Sequence, residues 1–241
     1  MLHVNSKFRS IGTCASFIID LDLPTVSTGC SSVTLTDVVL PNGWYNFSAN
    51  YNRIIFNEGT GDLTATVPVG NYTGSTIESA IEAALNAAST LTQVYTCTYS
   101  ELTGLITISA AAAFILKFSR SGSPAYRLGF SPNDTSSATS HTGTLMMNLA
   151  PDNFVYLAID GLPECLTADT QGVICTFPIS LYNNTGTISK FENKLTHKVD
   201  KSWFRGRNTR IRLFDMNGLD LPLLVDWGFT LEIKDICQCG K

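Results

Sequence analysis

Residues 67–88 read VPVGNYTGSTIESAIEAALNAA, and they form the one stretch of the chain with a clear helical pattern. Ser75 followed by Glu78 has the spacing of a capping box, so the sequence predicts a helix over 75–88. The apolar residues recur every four positions, as on one face of a helix: Ile77, Ile81 and Leu85. The polar residues of the opposite face are expected to point toward water: Glu78, Glu82 and Asn86. The apolar face is narrow and rich in alanine, so we expect the helix to pack closely against a sheet.

Short segments with the alternating pattern of β-strands lie on both sides of this helix. Turns rich in Gly, Pro and Asn separate them, and the clearest are residues 33–40, 51–56, 92–99, 105–109, 154–159, 173–180, 209–214 and 227–233. YRLGF at 126–130 is a further predicted strand, whereas the polar segment 131–144 (SPNDTSSATSHTGT) is predicted to be an exposed loop. A dozen or so short strands with one helix predict an all-β protein, either a sandwich or a jelly roll.

The size of the chain fits one large β-domain or two small ones, and length alone does not choose between them. It has 241 residues, of which 44% are hydrophobic and only 15% are charged. So little charge is typical of subunits that bury part of their surface against neighbours.

The charge is distributed unevenly along the chain. The net charge is −4, yet Lys190–Arg212 holds eight basic and two acidic residues, which leaves −10 for the rest. Trp203 and Phe204 lie among these basic residues, so three interpretations stay open: contact with nucleic acid, contact with a neighbouring subunit, or a solvated face. We favour subunit contact, and the candidate contact residues are Lys198, Lys201, Arg205, Arg207 and Arg210.

The cysteines and the apolar segments indicate the compartment. Seven scattered cysteines are an odd number, unlike the even set of a small disulfide-stapled secreted domain, so we expect free thiols and synthesis in a reducing environment. The longest apolar run, around 110–116, is too short to cross a bilayer, so no membrane insertion is predicted.

No set of residues in the sequence predicts catalysis. The three histidines are not spaced to pair with a nucleophile and a carboxylate, and we expect all of them on the surface: His3, His141 and His197. Cys237 and Cys239 lack a second pair with metal-ligand spacing. The chain is therefore predicted not to be an enzyme and to have no catalytic residues, no metal site and no cofactor.

Several motifs in a fixed order identify a resemblance. PNGWYNFSANYNRIIF at 41–56 precedes the helix segment, and VYTCTYSELTGLITIS at 94–109 and YRLGF follow it. RLFDMNGLDLPLLVDWGFTLEI at 212–233 lies near the end of the chain. In this order the motifs resemble the minor capsid (penton) proteins of virophages and polinton-like double-stranded DNA viruses. The resemblance covers about three-quarters of the chain.

The resemblance implies one viral jelly-roll domain over 1–241, with a possible inserted β-hairpin subdomain at about 62–150 that contains the helix. It also implies assembly as pentamers at icosahedral vertices among major capsid proteins. We therefore interpret the chain as a structural virion protein: a capsid vertex subunit, assembled inside the infected host cell. The alternative is a receptor- or carbohydrate-binding jelly-roll module of a viral spike or tail. A β-sandwich enzyme is a third interpretation.

Overall fold

A computed structural model describes residues 1–20, 30–41, 43–91, 93–149, 154–160, 162, 175–178, 188–191, 195–200, 208–215 and 218–235. In these ranges one α-helix, α1, spans Gly74–Ala88. The strands are β1 (Leu2–Asn5), β2 (Ile11–Gly12), β3 (Ser16–Asp20), β4 (Cys30–Pro41), β5 (Arg53–Asn57), β6 (Asp62–Thr66), β7 (Tyr95–Tyr99), β8 (Ile106–Leu116), β9 (Ala138–Thr142), β10 (Phe154–Ile159), β11 (Cys175–Pro178), β12 (Ile188–Phe191), β13 (Leu195–Asp200), β14 (Asn208–Phe214) and β15 (Gly228–Asp235).

The chain divides into two compact units. Unit 1 comprises Met1–Trp44 and Asp152–Lys241, and unit 2 comprises Tyr45–Pro151. Unit 2 therefore lies, along the chain, between β4 and β10 of unit 1. Each unit has its own cluster of buried apolar residues.

Two antiparallel sheets form unit 1. In the first, β15 lies between β1 and β4, and β12 and β13 both pair with the other side of β4. In the second, the order is β11-β10-β14-β3-β2. The strands alternate as the sequence pattern predicts: on β14, Ile211 and Leu213 are buried whereas Arg210 is exposed. The buried residues of both sheets belong to one apolar cluster, so the sheets form a sandwich.

The strand order of unit 1 is that of a jelly roll. With β1, β3, β4, β10, β11, the pair β12/β13, β14 and β15 taken as strands B to I, the first sheet reads B-I-D-G and the second C-H-E-F. The predicted fold class, an all-β jelly roll with one short helix, is confirmed.

Unit 2 has a separate antiparallel sheet with the order β6-β5-β8-β7, and β9 pairs with β8 as well. Helix α1 contacts β6 and β7. Its apolar face is fully buried, through Ile77, Ile81 and Leu85. The predicted helix and its packing against a sheet are confirmed.

The predicted N-terminal cap of this helix is wrong. The helix begins at Gly74, and Thr73 is the N-cap: its Oγ1 accepts from the Thr76 amide at 3.3 Å, and the Thr76 Oγ1 accepts from the Thr73 amide at 2.8 Å. The two threonines form the capping box two residues earlier than Ser75 and Glu78 would. With Thr73 as the N-cap, Thr76 rather than Glu78 occupies the third helical position, and Glu78 instead accepts a hydrogen bond from the backbone of β7.

Two further predictions in unit 2 are wrong. Residues 126–130 form a turn rather than a strand, closed by bonds from the Leu128 amide to the Pro124 carbonyl and from the Phe130 amide to the Ala125 carbonyl. The segment 131–144 contains β9, which pairs with β8 although it lacks an apolar pattern.

Replacing Ile81 with Ala tests the docking of α1. Ile81 is 0% exposed, so the variant should lose about 2–4 kcal/mol of unfolding free energy, because it leaves a cavity between helix and sheet. Urea denaturation measures the loss, and Ser79→Ala, an exposed position on the same helix, is the control. An Ile81→Ala midpoint equal to that of the unmodified protein would show that the face does not contribute to stability.

Candidate functional site

The structure describes two of the five candidate contact residues. Lys201, Arg205 and Arg207 lie outside the described residues. Lys198 belongs to β13, where its backbone pairs with Ser32 of β4. Arg210 is on β14 in the other sheet of unit 1, so the candidate residues do not all share one strand.

Arg210 is exposed on the outer face of the second sheet. Its Nη2 donates to Ser16 Oγ at 3.2 Å, and within the described part of the chain it forms no ion pair. Arg212 differs: its Nη2 lies 2.6 Å from Asp220 Oδ1. Of these two arginines, Arg210 is therefore the one whose positive charge is not neutralised by a described carboxylate and is open to contact with another molecule.

Apolar side chains lie beside Arg210 on the same face. Strand pairing places Arg210 opposite Ile18 of β3, and Ile18 opposite Ile11 of β2. Ile18 is half-buried, and Ile11 is 68% exposed. These three residues form a row across three strands, which we call the Ile11–Ile18–Arg210 row. An exposed cation with adjacent apolar surface is the composition of a protein contact site. Composition alone did not identify Ile11 or Ile18, because their proximity to Arg210 depends on strand register.

A buried carboxylate in unit 2 is the strongest polar cluster among the described residues. Glu58, 9% exposed, accepts from Ser89 Oγ at 2.6 Å, from the Thr90 amide at 3.2 Å and from Tyr95 Oη at 3.0 Å. Burial raises the pKa of Glu58, but these hydrogen bonds outweigh it, so the pKa lies below its ordinary value. Because the carboxylate is ionised and already bonded, the cluster fastens the end of α1 to the turn after β5.

Two other side chains that could be reactive, His141 and Cys97, are buried in unit 2. His141 is buried, and its Nε2 lies 3.0 Å from the Phe114 carbonyl, which identifies Nε2 as the donor; the prediction that His141 lies on the surface is wrong. Burial, with the nearby Glu78 and Glu82, raises the pKa of Cys97 to about 12, so its thiol is unreactive at neutral pH. The described residues contain no group of three side chains able to hold a metal ion.

Among the described residues, none of the helices has the length and apolar character needed to span a membrane.

The sequence matches no protein-family model and no curated protein. The chain is similar to a solved structure, the selenomethionine-labelled penton protein of mavirus. The match covers 98% of this chain and 98% of that chain, with 12% sequence identity and a TM-score of 0.45.

Replacing Glu58 with Gln tests the role of the buried carboxylate. Its lowered pKa means that the ionised form stabilises the fold fully above the ordinary value of 4.5, and that this stabilisation is lost as the pH falls below it. At pH 7 the variant should be less stable by about 1–3 kcal/mol. The amide NH₂ of Gln is a hydrogen-bond donor, and it would face the donors of Ser89, Thr90 and Tyr95 that the carboxylate accepts from. The difference in unfolding free energy between the variant and the unmodified protein should become smaller below pH 4.5, because Glu58 is then increasingly protonated.

Urea denaturation at a series of pH values measures this change. Glu101→Gln, at an exposed position in the turn between β7 and β8, is the matched control and should have no effect. Equal stability of Glu58→Gln and the unmodified protein at pH 7 would contradict the assigned role.

Proposed function

We propose that this protein is a structural virion protein: a penton subunit at the capsid vertex, which assembles into pentamers and contacts the major capsid protein. The observation that supports this best is the B-I-D-G and C-H-E-F strand order of unit 1. The sequence motifs between 41–56 and 212–233 occur in the order that resembles penton proteins, and that resemblance implies the same jelly-roll fold. Because a fold alone does not imply a function, the proposal rests on the two together.

The proposal includes the organisation of the chain. Unit 2 is an insertion subdomain of a single jelly roll, placed along the chain between strands D and E. Its own apolar core supports this interpretation, since a segment with a separate core is able to fold around it. The protein needs no cofactor for this role, and its location is the capsid vertex of a virion assembled inside the host cell.

Contacts between subunits involve the basic segment in this proposal. Arg210 and the neighbouring basic residues carry positive charge on a chain that is otherwise strongly acidic. Opposite charges on two faces steer subunits together and penalise wrong registers. The exposed Ile11 beside Arg210 adds apolar area to such a contact.

The oligomeric state tests the proposal. We expect purified protein to form a closed ring of five chains, with five times the chain mass of 26.1 kDa, because a fivefold ring leaves no unpaired contact surface. Native mass spectrometry measures it, and dilution controls for non-specific association. A stable monomer or trimer would contradict the penton proposal and favour the spike or tail module.

Charge reversal tests the contact surface. The triple variant Arg205→Glu, Arg207→Glu and Arg210→Glu should fold, since a charge exposed at the surface, as that of Arg210 is, contributes only about 0–1 kcal/mol. It should assemble poorly, with the largest defect at low ionic strength, where screening is weakest. Sedimentation velocity at two salt concentrations measures the effect.

Two single variants complete this test. Arg210→Glu changes the described member of the set, whereas Lys7→Glu changes the net charge equally at another exposed position of unit 1. Only the first should impair assembly. Normal assembly of the triple variant at low salt would show that the basic segment is a solvated face.

A further inference from the structure

One side of α1 provides hydrogen-bonding partners to the backbone of strand β7. A Glu78 oxygen accepts from the Tyr99 amide, and Glu82 Oε2 accepts from the Cys97 amide at 3.1 Å. One turn further along the helix, Asn86 bonds Tyr95 twice. Its Oδ1 accepts from the amide at 2.7 Å, and its Nδ2 donates to the carbonyl at 2.9 Å.

These bonds all occur at the free edge of β7. In the described part of the chain β7 pairs only with β8, and Tyr95, Cys97 and Tyr99 alternate along it, so their amides point to the same side. Without α1, that side would present a row of unpaired amides, which is a template for pairing with another strand.

The helix and the strand have matching repeats. Residues four apart on a helix are separated by about 6 Å along its axis, and residues two apart on a strand by about 6.6 Å. Glu78, Glu82 and Asn86 therefore stay in register with alternate residues of β7 over three successive contacts. Asn86 supplies both an acceptor and a donor, as a residue of a neighbouring strand would.

We infer that α1 acts as an edge cap: these three side chains take the place of a missing strand and prevent another chain from adding a strand to β7. The two carboxylates strengthen the block, because charged groups beside an edge oppose the approach of a second backbone. This inference goes beyond the proposed capsid role. It identifies an edge that assembly does not use, and it holds whatever the oligomeric state of the protein.

The experiment uses the full chain with the double substitution Glu78→Ala and Glu82→Ala. Hydrogen exchange should become about tenfold faster at the amides of Cys97 and Tyr99, which lose their acceptors. The amides of Thr96 and Thr98 face β8, so their exchange should stay unchanged. Sedimentation velocity should show new, larger species that increase with concentration.

Three further variants make the result specific. Glu101→Ala, in the exposed turn after β7, is the matched control and should change neither measurement. Glu78→Gln with Glu82→Gln keeps acceptor oxygens, so exchange at Cys97 and Tyr99 should stay close to that of the unmodified protein. Thr96→Lys with Thr98→Lys places charge on the exposed face of β7 and, added to the alanine variant, should remove the new species while exchange stays fast.

Two outcomes would overturn the inference. Unchanged exchange at Cys97 and Tyr99 would show that the helix does not protect these amides. Fast exchange without new species would show that the contacts stabilise the helix but do not block strand addition. If the alanine double variant does not fold, the single variant Glu82→Ala is tested instead by hydrogen exchange and sedimentation velocity. Sedimentation of the unmodified protein gives its oligomeric state separately, so a failure of the pentamer proposal can be distinguished from a failure of the edge-cap inference.

Discussion

Unit 1 depends on the pairing of β4 with β15. β15 pairs with β4 along one side, from Gly228 opposite Val39 to Asp235 opposite Ser31, and β12 and β13 pair along the other. The two central strands are separated in the chain by the whole of unit 2, so their pairing must overcome the entropy of closing a long loop. That entropy grows only with the logarithm of loop length, and a segment that folds on its own core shortens the effective loop. The separate core of unit 2 therefore makes the long insertion compatible with the sandwich.

The helix shows how far the sequence predicts structure. The period of Ile77, Ile81 and Leu85 identified the buried face correctly, because apolar burial depends on a local repeat. The same repeat does not identify the partners of the polar face. Glu78, Glu82 and Asn86 were expected to face water. Asn86 is exposed and the two glutamates are half-buried, but all three also bond β7, which the pattern did not predict. The need for such bonds arises from a free sheet edge, which only the tertiary structure reveals.

Strand β9 and the Ile11–Ile18–Arg210 row were missed for a similar reason. The side chains that face each other across the β8–β9 pair are polar: Ser140 Oγ lies 2.8 Å from Ser109 Oγ, and Thr142 Oγ1 lies 2.9 Å from Thr107 Oγ1. Hydrophobic alternation cannot detect a strand of that composition. The basic residues were evident from composition, but their apolar neighbours depend on non-local register between β2, β3 and β14.

The carboxylates of the chain also bear on assembly, because many of them bond within the protein. Glu58, Glu78 and Glu82 accept hydrogen bonds within unit 2. Others form ion pairs with basic residues of their own unit: Asp62, Asp134, Asp220 and Asp226. These carboxylates keep their negative charge and are counted in the net −10 outside the basic segment, but oxygens that are already bonded are less available to a cation of a second copy. Within the described residues, exposed carboxylates without such bonds include Asp20 and Glu101. Within the part of the chain that the structure describes, a basic face of another copy would find its acidic partner among exposed carboxylates of this kind, which would restrict the orientation of such a contact.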